Sequence, residues 1–337
     1  MRATLAHNGR VDDRDPGLPP APASPVGDDG QPRFGAYAGT TDVSWARLAS
    51  PRARNPLWRL LHAKRWHYVS IGGPRVVAAV AIVDVGYAAN VFAYVFDRAA
   101  RRLAGELSAI GLPGLQGKVA PGPRGPSSFG TLARIEPRGD GWQVAVRAPG
   151  LELVAELGAP AAPPLCAIAK IDGGVANCTH KTVGLPARGL ASCNGARIDL
   201  EDHTGAMDHT SGLLARDTTW RWASAARADL ALNLVQGFNG PVENVVWHDG
   251  RLHAVGAVDF DYDAASRLGI WRIRSRDGAV DLSFQPEGER RQDKDLLVAA
   301  SRYVQPIGVF SGTIRLRSGA IAVADLPGVT EDHRARW

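Results

Sequence analysis

Apolar and polar side chains take turns along most of this chain. From about residue 34 onward, short alternating segments are separated by Gly, Pro, Asp and Ser, which is the period of strands with one face on a core. Four segments can be folded back on themselves at a two-residue turn ending in Gly, whose residues take positive φ and whose twist matches paired strands. With Asp277-Gly278 as the turn, Trp271, Ile273 and Ser275 share a face with Val280, Leu282 and Phe284, and Arg274 falls opposite Asp281. Ser318-Gly319 gathers Ile314, Leu316, Ile321 and Val323. Asp140-Gly141 gathers Ile135, Trp142, Val144 and Val146, although it sets Arg134 opposite Arg147. A helical pattern is clear only after Asn55, where a capping Asn precedes Pro56 and an apolar face follows, so a short helix is expected over 56–63. Many short strands with no βαβ alternation predict an all-β fold of antiparallel barrel or sandwich type, with one or two short helices.

The organisation follows from breaks in this pattern. Residues 1–33 carry six prolines and few large apolar side chains, and read as a disordered leader. Gly111 to Pro126 reads as a loop, and the Gly/Ala/Pro run 158–164 as a link between an N-terminal half, 34–163, and a C-terminal half, 164–337. A length of 337 residues suits roughly two domains and needs no disulfide staples.

Composition narrows the class. With 45% hydrophobic and 22% charged residues the chain is an ordinary globular protein. The longest unbroken apolar run, Val76 to Val83, is eight residues, against the ~18 needed for a membrane helix. No secretion signal is evident, so a cytoplasmic protein is expected. The net charge of +5 sets 34 Arg and 5 Lys against 34 acidic residues, and the basic ones are scattered along strands, not gathered with aromatics as a nucleic-acid surface requires. Cys166, Cys178 and Cys193 form no Cys-x-x-Cys, no His-Glu-x-x-His is present, and no phosphate loop or dinucleotide fingerprint occurs, so neither metal nor other cofactor is expected.

The fourth hairpin, on Asp249-Gly250, brings in candidate chemistry. It places Trp247 opposite Leu252 and Val245 opposite Ala254, continues the apolar face through Val258 and Phe260, and lands Glu243 on that face opposite Gly256. A carboxyl group in apolar surroundings tends to keep its proton and can donate it, so Glu243 is either a proton donor or a structural pin. Trp220 and Trp222 share one strand face, as core or as a ligand wall. Asn233, Gln236 and Asn239, with Asn244 further on, are amides that orient a ligand or satisfy backbone. His180, beside Lys181, and His333, in Glu331-Asp332-His333, are candidate proton acceptors or structural histidines. Asp202-His203-Thr204 and Asp208-His209-Thr210 suit turn capping.

The chain also resembles the bacterial family known as domain of unknown function 2804. The matching pieces begin with Lys64-Arg65-Trp66-His67-Tyr68 and Gly86-Tyr87, and continue through His180-Lys181, Asp208 with Gly212, and Thr219-Trp220-Arg221-Trp222. Asn233-Leu234, Gly237-Phe238, Glu243-Asn244 and Trp247 with Gly250 follow. Asp281-Leu282 with Phe284 and Pro286, Gln305-Pro306 with Gly308 and Phe310, and Gly328-Val329 with Glu331-Asp332-His333 and Trp337 complete the series over most of 40–337. This resemblance implies little chemistry. A fainter architectural likeness, to tandem lipocalin-like carotenoid hydratases and tocopherol cyclases, implies two lipocalin-like halves and proton transfer to an apolar isoprenoid-like substrate. The expectation is therefore a pocket for an apolar or amphipathic small molecule, lined by Trp220, Trp222, Asn233, Gln236, Asn244, Trp247 and Lys181, with Glu243, His180 and His333 for acid-base chemistry. The enzyme would be a cofactor-independent hydratase, isomerase or cyclase; the alternatives are a non-catalytic lipid carrier and a protein-interaction module.

Overall fold

The computed structural model describes residues 17–266, 268–295 and 300–337. They form two antiparallel sheets, the first curled into a nearly closed barrel and the second into a half-barrel, as the alternating pattern requires. The first sheet runs from Arg102–Gly111 through Ala89–Asp97, Val76–Asp84 and Ala63–Gly72 to His203–Leu213. It continues through Ala176–Cys193, Leu151–Leu157, Gly141–Ala148, Ala133–Arg138 and Ser127–Phe129 to Gly117–Lys118. The second runs Arg251–Ala254, Val245–His248, Leu230–Gly237, Asp217–Ala226, Gly319–Arg336, Ala300–Leu316, Val280–Asp295, Trp271–Ser275, Val258–Asp261. The first sheet thus extends through Leu213, past the expected link at 158–164, and the chain changes sheets between Leu213 and Asp217. Of the expected leader, residues 1–16 lie outside the described residues; from Gly17 the chain is placed, and Val26 is buried beside Trp45 and Leu48.

Each sheet encloses its own apolar interior. Val69, Ile82, Val91, Ile135, Val144 and Leu153 belong to the first, and Leu232, Phe260, Ile273, Phe284, Phe310 and Ile314 to the second. A third layer lies between them, where Tyr68, Val77, Ala79 and Tyr94 of the first sheet meet Trp222, Val235, Ile307 and Val329 of the second. The strand Val76–Asp84 is consequently covered on both faces, which explains why Val76 to Val83 shows no alternation. The helix Pro56–His62 begins as expected, with the Asn55 side-chain oxygen accepting from the Trp58 amide at 2.8 Å.

Two hairpin registers agree with the sequence reading: Trp271 pairs with Phe284 and Arg274 with Asp281, and Trp247 pairs with Leu252. In the hairpin expected to turn at Ser318-Gly319 the turn is Arg317-Ser318, so Ile314 pairs with Ile321 rather than Val323, a two-residue shift that keeps the apolar face. The register at residue 140 differs. Arg134 pairs with Ala145 rather than Arg147, because Gly139 (φ 56°) and Asp140 form the turn. The two-residue shift keeps Ile135 and Val144 on one face and separates the arginines. Gly141 is small for another reason: a Cβ there would lie 2.0 Å from the Leu157 carbonyl oxygen. The apolar face of the fourth hairpin also divides. Val246 joins the second interior with Val258, whereas Val245, Trp247 and Leu252 pack with Leu165 and Ala167 of the first sheet.

Inside the first barrel, Cys166, His180, His209 and His67 occupy successive partnered positions on four neighbouring strands. All are buried. The Nε2 of His209 donates to the Ala120 carbonyl at 2.9 Å, His67 Nδ1 bonds Ser127 Oγ at 3.0 Å, and His180 Nε2 accepts from the Thr41 amide at 3.1 Å. Burial pushes His67 down to about 3 and His209 down to about 4, from 6.5 in an open chain. The unfolded chain therefore takes up protons below pH 6.5 that the folded chain refuses, and stability present above that pH is lost progressively as pH falls toward 4 and then 3. Thermal midpoints measured between pH 7.5 and about 4 should fall most steeply below about pH 6.5, and His209→Gln should flatten that slope. A midpoint independent of pH across this window would contradict the account.

Candidate functional site

The layer between the sheets opens into a cleft of about 250 Å³. Its wall is aromatic because strands from both sheets turn their large side chains toward it. Trp66 and Tyr68 alternate with the inward His67, and Trp220 and Trp222 alternate with the inward Ala223 and Ala225. Trp66 stacks on Trp220 at 6.4 Å, Phe238 lies 5.4 Å from Trp220, and Tyr68 meets Trp222 edge-on at 5.7 Å. Such rings bury large area and present π faces to whatever enters.

Two carboxylate centres project into this wall. At the first, Lys181 Nζ lies 2.8 Å from both Asp208 Oδ2 and Glu243 Oε1. Asp208 also accepts from Trp66 Nε1 at 3.1 Å, Thr179 Oγ1 at 2.9 Å and Thr210 Oγ1 at 3.0 Å. Glu243 accepts from the Asn239 amide and, at 3.4 Å, from Asn233 Nδ2. Burial works to lower the Lys181 ammonium, but the Asp208 and Glu243 carboxylates outweigh it and hold it above its ordinary value. Burial works to raise Asp208, and here Lys181 prevails, with the Trp66 and Thr179 hydrogen bonds, holding it below the usual carboxylate range. The strongest local attraction thus keeps one ammonium and its Asp208 partner ionised in an apolar wall.

At the second centre, Glu331 accepts from Trp220 Nε1 at 2.8 Å and from Gln305 Nε2 at 2.9 Å, and Gln305 accepts from Tyr94 at 2.6 Å. His333 lies in the same wall, its Nδ1 3.5 Å from Glu331 Oε1, its Nε2 2.9 Å from Ser301 Oγ and its ring 4.2 Å from Trp220. Nearby, Arg290 is 1% exposed, bonds Glu106 at 2.9 Å and lies over the Phe92 ring at 4.4 Å.

Of the residues singled out in the sequence, Glu243, His333, Trp220, Trp222 and Lys181 line the cleft together. The others stand elsewhere. Asn233 is one layer behind, accepting from Trp222 Nε1 at 2.8 Å and donating to the Glu243 carbonyl at 2.9 Å. Asn244 is tied to backbone, accepting from the Val235 amide and donating to the Gly256 carbonyl. Gln236 bonds Arg221 and Asp259. Trp247 donates to the Pro163 carbonyl at 3.1 Å. His180 points into the first barrel, away from Lys181, as strand alternation dictates. Glu243 differs from its expected setting: it ends a 3-10 turn, Gly240–Glu243, rather than continuing the strand, and a lysine ammonium faces it instead of a purely apolar interior. Asn239, one of the amides noted in the sequence, also lines the cleft, whereas Asp208, Trp66, Glu331, Ser301 and Tyr303 were not singled out for it; the alternation Trp66-His67-Tyr68 was the signal available for one of them.

Among the described residues, one group has metal-ligand composition. Donor atoms of Cys166, Cys178 and His180 lie within 4.8 Å of one another, all buried. The Thr41 amide occupies His180 Nε2, so the neutral ring carries its hydrogen on Nδ1 and offers no free lone pair there. The set does not fit a metal as it stands.

The family model described as Domain of unknown function (DUF2804) matches residues 30–337. Among curated proteins none matches the chain in sequence. Among solved structures, the chain is similar to a Nitrosomonas europaea protein assigned as an AttH, with 13% identity, 86% of this chain and 96% of that one covered, and a TM-score of 0.58. It is similar to kievitone hydratase from Nectria haematococca, with 9% identity, 90% and 97% covered and a TM-score of 0.50. It is also similar to CghA, with 10% identity, 95% and 98% covered and a TM-score of 0.54. At such identities the likeness is one of fold. No helix among the described residues is long and apolar enough to cross a membrane.

Removing the Lys181 charge tests the energetics of the first centre. Lys181→Met leaves Asp208 and Glu243 buried and uncompensated, with an expected cost of about 3–5 kcal/mol in urea denaturation. Neutralising all three groups together, with Asp208→Asn and Glu243→Gln added, should recover most of that loss. Equal instability of the single and triple variants would contradict the pairing.

Proposed function

The chain belongs to the DUF2804 family, and we propose that its inter-sheet cleft binds an apolar or amphipathic small molecule, lipid- or isoprenoid-like, and transfers protons to and from it without a cofactor. Hydration, isomerisation and cyclisation are the reactions of this class. The observation that carries the reading is the pairing of an aromatic wall with buried carboxyl groups. Lys181 is matched by both Asp208 and Glu243, and Glu331 adds another carboxyl group, so carboxyl groups and π faces stand together beside Trp66, Trp220 and Trp222, while Arg290, Lys294 and Arg336 also line the cleft.

Such a wall favours positive charge developing on a bound hydrocarbon, as when an alkene accepts a proton. In this reading Glu243, with Lys181, governs proton delivery, and His333, oriented by Glu331, accepts a proton on the way to product. The fold likeness to a protein named kievitone hydratase supports the same reaction class. His180 would then serve structure rather than chemistry, since its ring is committed to the Thr41 amide inside the barrel.

The non-catalytic carrier remains the second reading, favoured by the hydrogen bonds that already occupy Glu243. Both readings require a ligand in the cleft. N-phenyl-1-naphthylamine, a neutral apolar fluorophore, should bind with energy transfer from tryptophan, and Trp220→Ala should weaken it about tenfold or more. Native mass spectrometry of the purified protein should show a co-purifying apolar compound. Absence of fluorophore binding together with a bare protein mass would refute the cleft as a small-molecule site. Once a substrate is found, Glu243→Gln should retain its binding and abolish turnover; full activity of that variant would remove Glu243 from the chemistry, and binding without turnover by the unaltered protein would leave the carrier reading.

A further inference from the structure

We infer that Ser301, His333 and Glu331 form a nucleophile, a base and an orienting carboxylate in the cleft, and that this site transfers acyl groups from esters of apolar acids. The inference rests on the reading of the cleft as a small-molecule site and adds a covalent step to it. Its origin lies in strand register. Tyr303 pairs with His333 and Ser301 with Ala335 across two antiparallel strands, so Ser301 and His333 are diagonal neighbours on one face, and Glu331 shares that face two residues from His333.

The contacts assign the roles. Ser301 Oγ lies 2.9 Å from His333 Nε2, within hydrogen-bond reach, and His333 Nδ1 lies 3.5 Å from Glu331 Oε1. A carboxylate on the Nδ1 side favours the tautomer with hydrogen there, which leaves the Nε2 lone pair facing the serine hydroxyl. Glu331 cannot swing away, since Trp220 and Gln305 hold its two oxygens. The imidazole is held by Trp220 at 4.2 Å and by Tyr303 edge-on at 5.3 Å. The buried Tyr303 hydroxyl has no hydrogen-bond partner and lies in the same wall, a donor suited to an oxygen that becomes negative.

In the first step Ser301 Oγ bonds to the ester carbonyl carbon, its proton passes to His333 Nε2, and the carbonyl electron pair moves onto oxygen. Collapse of this adduct breaks the bond to the alkoxide, which leaves as the alcohol with the proton from Nε2. Water then attacks the acyl-serine while Nε2 takes its proton, and that proton returns to Ser301 Oγ as the carboxylic acid departs.

Diisopropyl fluorophosphate and p-nitrophenyl butyrate test this on the full chain. One phosphoryl adduct should map to Ser301, and the ester should be hydrolysed. Both should disappear in Ser301→Ala, and His333→Gln and Glu331→Gln should slow labelling by about 100-fold and about tenfold respectively. N-phenyl-1-naphthylamine binding by Ser301→Ala should persist, which shows the variant folded. No adduct, or an adduct at another residue, with fluorophore binding intact would overturn the acyl-transfer inference and leave the cleft reading standing. Loss of fluorophore binding by the unaltered protein would overturn both.

Discussion

An ammonium group out of reach of water must find its counter-charges inside the protein, and Lys181 finds them in two places. Asp208 is its cross-strand neighbour in the first sheet, while Glu243 comes from the turn that precedes a strand of the second. The pairing therefore fixes how the sheets stand relative to each other, because moving the second sheet would strand a charge in an apolar layer. Neutral hydrogen bonds follow the same line. Asn177 donates to Asn239 at 3.0 Å, and Asn239 to Glu243, so amides carry the junction from one sheet to the other. The aromatic wall is then assembled from strands whose relative position is already set.

This arrangement makes the outside of each barrel do what an interior does elsewhere. Lipocalin-like sheets enclose space, yet here Val, Ile, Leu and Phe fill the first enclosed space and much of the second, which keeps a hollow beside Tyr262 and Trp271, and the aromatic cleft lies between the sheets. Polar groups gather in that shared layer because each sheet supplies strands whose second face would otherwise meet water. Arg290 illustrates the rule, paired with Glu106 of the first sheet and lying over Phe92, although it stands on a strand of the second.

What could be read from the sequence was local. Hairpins closed by tight turns reveal their register because both strands lie within a few residues, and Trp271 opposite Phe284 needed no more than that. Even there, Gly141 misdirected the reading, since a glycine required for close approach to Leu157 looks the same as one required by a turn. Asn244 and Gln236 show polar residues whose partners are backbone and surface groups, a distinction no alternation pattern makes. Glu243 was legible as a buried carboxylate, but its cation was not, because Lys181 approaches from a different sheet. Ser301 was invisible for a related reason: it stands far from the turn at Arg317-Ser318, on strands long enough to contain a register shift between Phe310 and Gly312.

The strand Gly319–Arg336 pairs with Asp217–Ala226, so the second sheet is joined across more than a hundred intervening residues. A chain emerging from a ribosome can close the first barrel once Leu213 is free, and it can neutralise Lys181 when Glu243 follows. The imidazole of His333 and the carboxyl of Glu331 are synthesised much later. Until they emerge, Trp220 and Trp222 await the strand that will lie beside them, and their unpaired edge is exposed to other chains. Protein synthesis therefore separates two events that the folded molecule presents together: the first half can become stable early, while the chemistry of the cleft can begin only when the strand Gly319–Arg336 has been made.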